Sequence, residues 1–156
     1  MYSREEIKKL HIDFWELFRK RCDVHPVLQH KKKNFILHRT KIRGVAFRFD
    51  VNRENAKVML EISHRNEDIR LKAFEIIERY KVILEEGFEK GLIWEFYHQR
   101  EDSGQEVCRI YAMLENVDIH NRNQWPDIYN FFIENMLMLE ENFSEISDIV
   151  WEELQG

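Results

Sequence analysis

The stretch Val45-Ala46-Phe47-Arg48-Phe49-Asp50-Val51, then Asn52-Arg53-Glu54-Asn55, then Ala56-Lys57-Val58-Met59-Leu60-Glu61-Ile62, alternates apolar and polar residues on both sides of a polar turn. Alternation with period two is the mark of a strand with one buried face, so the stretch predicts a β-hairpin. A turn at 52–55 sets the register: Phe49 lies opposite Val58, Phe47 opposite Leu60 and Val45 opposite Ile62, so every apolar side chain meets an apolar partner. The same register puts Asp50 opposite Lys57 and Glu61 opposite Ala46.

Working outward, Ser3 and Glu6 have capping-box spacing ahead of Ile7, Leu10, Phe14, Leu17 and Phe18, which predicts an amphipathic helix over 3–22. Pro26 and the basic run His30-Lys31-Lys32-Lys33 lead into residues 34–41, where β-formers outnumber helix-formers and a first strand is expected. After the hairpin, Asn66 can cap a helix carrying Ile69, Ala73, Ile76, Ile77, Tyr80 and Leu84 on one face, ended by Gly87 and Gly91. Residues 92–100 and 106–115 predict two more strands about the turn 101–105, with His98 facing Val107 and Tyr97 facing Cys108. Trp125-Pro126 opens a last helix whose stripe runs through Ile128, Phe132, Met136, Leu139, Phe143, Ile146 and Val150. Its length is about 30 residues, or roughly 45 Å. The pattern predicts one α+β domain over 1–156, in the order α-β-β-β-α-β-β-α. A mostly antiparallel sheet would be packed by helices, and the long C-terminal helix would exceed what such a sheet requires.

Composition narrows the class. In 156 residues the hydrophobic fraction is 44%, with five glycines and two prolines, which excludes a disordered, collagen-like or low-complexity chain. No apolar run approaches the roughly 20 residues of a spanning helix, and the start Met1-Tyr2-Ser3-Arg4-Glu5-Glu6 has no apolar signal core, so a cytoplasmic protein without membrane contact is expected. Cys22 and Cys108 make no disulfide scaffold, consistent with a reducing compartment.

The formal charge of -5 hides an asymmetry. Residues 19–43 carry nine basic side chains against Asp23 alone, while 123–156 carry eight acidic side chains and no basic one. A phosphate-tracking patch would use Lys31, Lys32, Lys33, Arg39, Lys41 and Arg43. The plainer alternative is two solvated faces of opposite sign, since no aromatic residue interleaves with the three lysines.

Tested against the hairpin register, several chemistries fail. The order α-β-β-β-α-β resembles the core of the PD-(D/E)xK nuclease superfamily, which places an Asp on its second strand and Glu-x-Lys on its third, with two carboxylates on one divalent metal. Here Asp50 and Glu61-Ile62-Ser63 would stand in those places, yet Ser63 replaces the Lys. Asp50 and Glu61 are also separated by roughly 13 Å along the strand. Asp50 with Lys57 is more simply a cross-strand ion pair. Cys22, His25, His30 and His38 lack the paired spacing of structural zinc sites. His98 and Cys108 fall on opposite faces of the sheet, which forbids a thiol dyad. No Gly-rich phosphate loop, nucleophile elbow or His-Glu-x-x-His occurs, so no catalytic residue, metal ligand or cofactor is assigned. Trp15, Trp94, Trp125 and Trp151 are expected to serve packing.

Phe14-Trp15, the hairpin ending in Leu60-Glu61-Ile62, Leu92-Ile93-Trp94-Glu95 and Asn123-Gln124-Trp125 together resemble a bacterial family, domain of unknown function 4268. The resemblance implies an α+β fold and a bacterial cytoplasmic setting, in some members beside nuclease-like neighbours, and it implies no catalytic residue. The function expected is a non-catalytic binding or assembly module, with self-association through Phe132, Met136, Leu139 and Phe143 or a protein partner. The alternative is a nucleic-acid-binding, nuclease-related domain using the basic segment.

Overall fold

The computed structural model describes residues 2–28 and 40–156. Strands β1 (Val45–Val51) and β2 (Asn55–Ile62) form the hairpin in the expected register, with Val45 opposite Ile62, Phe47 opposite Leu60 and Phe49 opposite Val58. The Asn52 side chain closes the turn by accepting from the backbone N–H groups of Glu54 and Asn55 at 2.7 and 2.9 Å. At the open end Gly44 has φ +79°, and a Cβ there would lie 2.9 Å from that of His64, so only glycine lets the chain enter β1 against this neighbour.

Strand β2 also pairs antiparallel with β4 (Glu106–Glu115), and β4 pairs antiparallel with β3 (Ile93–Gln99), giving the order β1-β2-β4-β3. The strand expected at 34–41 falls largely outside the described residues; Thr40 and Lys41 are not in a strand. The described elements therefore run α-β-β-α-β-β-α, with one short helix added after the middle one. In the second hairpin His98 faces Val107 as expected, but an irregularity between Glu95 and His98 then shifts the register, so that Glu95 faces Arg109 and Trp94 faces Ile110. The extra residue inverts the alternation. Without it Trp94 would share the face of His98; with it Trp94 turns to the helix side, where its indole N–H donates to Glu85 Oε2 at 3.0 Å. Tyr97 consequently has no paired position opposite Cys108, whose thiol donates to Phe96 O at 3.0 Å.

Helix α1 (Arg4–Val24) starts with the capping box, Glu6 N–H to Ser3 Oγ and Ser3 N–H to Glu6 Oε1, both 3.2 Å. Helix α2 (Glu67–Arg79) is capped by Asn66, which accepts from Ile69 N–H at 3.1 Å. The expected continuation to Leu84 is interrupted at Tyr80, after which a separate short helix α3 (Lys81–Leu84) follows. Tyr80 OH and Arg79 both donate to the Glu153 carboxylate, at 3.1 and 3.0 Å, and this tether to the last helix holds the break while Leu84 is fully buried. Ile69, expected on the inner face, is exposed; Arg70 is buried instead, donating to His64 O at 3.1 Å.

Helix α4 (Trp125–Gln155) has 31 residues and crosses one face of the sheet. Phe132 is its centre: its ring lies 4.7 Å from Phe49 on β1, 5.3 Å from Phe18 and 6.2 Å from Phe14 on α1. Tyr129 OH donates to Phe14 O at 2.7 Å, fixing α1 against α4. The four residues expected to mediate self-association, Phe132, Met136, Leu139 and Phe143, are no more than 2% exposed. The chain's own sheet and α1 cover that stripe. The distal end of α4 is likewise used internally. Asn142 donates to Leu84 O and Glu86 O at 2.9 and 2.7 Å, and Val150 is fully buried. Trp15 and Trp94 pack partly buried and Trp125 is buried, whereas Trp151 is 49% exposed and does not serve the core. Among the described residues no helix is long and apolar enough to cross a membrane.

Truncating Phe132 to alanine removes the ring shared by α1, β1 and α4. The variant should lose about 3–5 kcal/mol of unfolding free energy, measured by urea denaturation followed by circular dichroism; a loss under about 1 kcal/mol would show that this ring is not the centre of the core.

Candidate ligand-binding site on the polar face of the sheet

The alternation that sends Phe47, Phe49, Val58, Leu60 and Ile110 toward α4 sends Arg48, Asp50, Lys57, Met59, Glu61 and Arg109 to the other face. The bulge in β3 adds Glu95 and His98 to that face, and Arg100 follows at the strand end. There a cleft of about 460 Å³ is lined by Arg48, Lys57, Glu61, His98, Arg100 and Arg109, with Asp50, Glu101 and Asp102 among its other lining residues.

Glu61 sits at its floor, 3% exposed. Arg48 Nη1 donates to both of its oxygens at 3.2 and 3.1 Å, and Arg100 donates from Nε to Oε2 at 3.3 Å and from Nη2 to Oε1. A buried carboxylate is tolerable only when paired and hydrogen-bonded, and two guanidiniums meet that need. Lys57, 8% exposed, donates to Asn55 Oδ1 at 2.7 Å, stands 3.7 Å from Asp50 Oδ2 and lies 5.7 Å from the Tyr111 ring centre. The Asp50–Lys57 pair is thus the one expected, and its lysine is buried. Arg109 donates from Nε and Nη2 to Glu95 Oε1, at 2.9 and 2.6 Å, and its guanidinium lies 5.0 Å from the same Tyr111 ring. Burial, reinforced by the Arg109 charge, holds the His98 imidazole below its ordinary value, so it is neutral at pH 7.

The hairpin register had already separated Asp50 from Glu61 as a metal-binding pair, and the structure has that same register. Glu61 faces Ala46, as the register required, and its oxygens are held by arginines. Among the described residues no group of three or more His, Cys, Asp or Glu side chains is placed to hold a metal. Of the possible zinc ligands, Cys22 is buried, His25 Nδ1 accepts from Val27 N–H at 3.2 Å, and His30 and His38 lie outside the described residues. Cys108 is in the core on the helix side, away from His98. Of the basic segment, Lys41 and Arg43 are exposed on either side of buried Ile42, while Lys31, Lys32, Lys33 and Arg39 lie outside the described residues.

The residues that the sequence reading missed are Arg48, Arg100 and Arg109. Arg48 could have been found, because the hairpin register already placed it on the polar face beside Glu61. Arg100 and the Glu95–Arg109 pair could not, because the bulge and the β2–β4 pairing decide their positions.

Burial pushes the Cys108 thiol up to about 11, and burial with the nearby Asp23 charge pushes Cys22 up to about 12. Both thiols stay protonated at neutral pH. Iodoacetamide at pH 8 should leave both unmodified in the native protein and alkylate both in denaturant, read by mass spectrometry; rapid native labelling of Cys108 would contradict its placement.

Comparison with known proteins gives a family and no chemistry. A family model described as domain of unknown function (DUF4268) matches residues 10–147. No curated protein and no solved structure matches the chain.

Proposed function

The chain belongs to the DUF4268 family, and from that premise we propose that it is a non-catalytic binding module whose receiving surface is the polar face of the sheet. What carries this is the cleft: about 460 Å³, within the range of about 300–1,000 Å³ typical of small-molecule sites, with its floor on strands and its rim at Arg100, Glu101 and Asp102 in the β3–β4 turn. Charged side chains held by partners, such as Glu61 between Arg48 and Arg100, are preorganised to orient a ligand. Glu61 engaged in this way cannot serve as a general base or metal ligand without breaking two ion pairs, so recognition fits the geometry better than turnover.

The test is a ¹⁵N-HSQC titration with polar metabolites pooled by charge class. The resonances of Arg48, Lys57, Glu61, His98, Arg100 and Arg109 should move together with one class and not with the others. If no pool perturbs this cluster, the cleft is not a binding site.

A nucleic-acid-binding role is the second reading, supported by Lys41 and Arg43, which buried Ile42 forces outward into solvent. Fluorescence polarisation of labelled DNA and RNA over a salt series separates the two. Phosphate contacts release counterions, so affinity falls steeply with salt, and Lys41→Glu with Arg43→Glu should abolish it; no binding at low salt removes this reading.

A further inference from the structure

The geometry points to a small phosphate-bearing molecule carrying hydroxyl or amino groups as the ligand of the polar-face cleft, an inference that rests on the binding role proposed above.

The charges lining this cleft balance, Arg48, Lys57, Arg100 and Arg109 against Asp50, Glu61, Glu101 and Asp102, yet specific donors within it are left open. Glu61 is saturated by Arg48 Nη1 and by Arg100, whose remaining Nη1 donates to Gln105 Oε1 at 3.3 Å. Among the described residues no acceptor meets Arg48 Nε or Nη2, nor Arg109 Nη1, and the three-donor Lys57 ammonium has Asn55 within hydrogen-bond distance and the Asp50 carboxylate at 3.7 Å. The open Nε–Nη2 edge of Arg48 is a fork for an oxyanion, held in place because its other nitrogen is committed to Glu61. Lys57 is nine-tenths buried, where a charge interacts more strongly than in water. A carboxylate brings two oxygens to these donors, whereas a phosphate monoester brings three.

The rest of the lining limits the ligand. Glu101 and Asp102 are exposed and Asp50 is nearly half exposed, so carboxylates border the cleft. They accept from ligand hydroxyl or amino groups, and this favours a compact phosphorylated molecule over bare phosphate.

Thermal unfolding of the whole chain tests this with inorganic phosphate, ribose 5-phosphate, ribose and sulfate, each against sodium chloride at matched ionic strength. Ribose 5-phosphate should raise the melting temperature at lower concentration than phosphate, and ribose should not raise it. Arg48→Gln and, separately, Lys57→Met should each weaken the affinity about tenfold or more while retaining the wild-type circular dichroism spectrum. Two variants are used so that a folding defect in one leaves the other decisive. No stabilisation by either phosphate beyond matched salt overturns the inference, as does stabilisation that survives both substitutions or a response confined to oligonucleotides. Should a neutral or cationic pool move the cleft resonances when phosphates do not, the inference falls and the binding role stands; if no pool moves them, both fall.

Discussion

The packing of α4 across one face of the sheet is the contact on which the other features depend. A strand can bury alternate residues on one side only if something apolar covers that side, and here a single stripe from Ile128 to Val150 does so. Phe132 lies where β1, α1 and α4 meet, so the same ring that closes the core also packs α1 against α4. The tethers from Asn142 to α3 and from Glu153 to Arg79 and Tyr80 extend this hold along the helix. Its length is thereby accounted for within one chain.

Because α4 takes one face, the charged residues of the central strands have one place to go. Arg48, Lys57, Glu61 and Arg109 would be costly in the core, and on the polar face they pair instead. The pairing is not uniform. Glu61 consumes parts of two arginines and leaves the outer edge of one of them open, while Lys57 is enclosed with a neutral amide at 2.7 Å and its carboxylate partner Asp50 at 3.7 Å. A network built for stability alone would match its donors and acceptors more closely. The mismatch here, on a rigid strand framework, is the physical basis for reading the face as a recognition surface.

The bulge in β3 links fold and site. It lets Trp94 reach Glu85 beneath the helices while Glu95 and His98 both stay on the polar face, which strict alternation from His98 would forbid. Glu95 then neutralises part of Arg109 and accepts from Tyr111 OH at 3.2 Å, holding the ring between Lys57 and Arg109.

By itself the sequence determined the local elements and one register. The capping residues Ser3, Glu6 and Asn66, the alternation through 45–62 and the stripe of the last helix are short-range signals, and each appears in the structure because local hydrogen bonding and one-sided burial dictate it. The hairpin register even separated Asp50 from Glu61 and put Arg48 on the face of Glu61. Tertiary structure alone decided what joined these pieces. The apolar stripe of α4 could equally have met a second chain; only the fit of Phe132 and Phe143 against Phe49 and Phe47 commits it to its own sheet. The break at Tyr80, tethered to Glu153 far along the chain, and the bulge between Glu95 and His98, which brings Glu95 opposite Arg109, likewise leave no mark in the local pattern. The cleft needs all of them, because Arg48, Glu61, Arg100 and Arg109 come from four separate stretches that no periodicity relates.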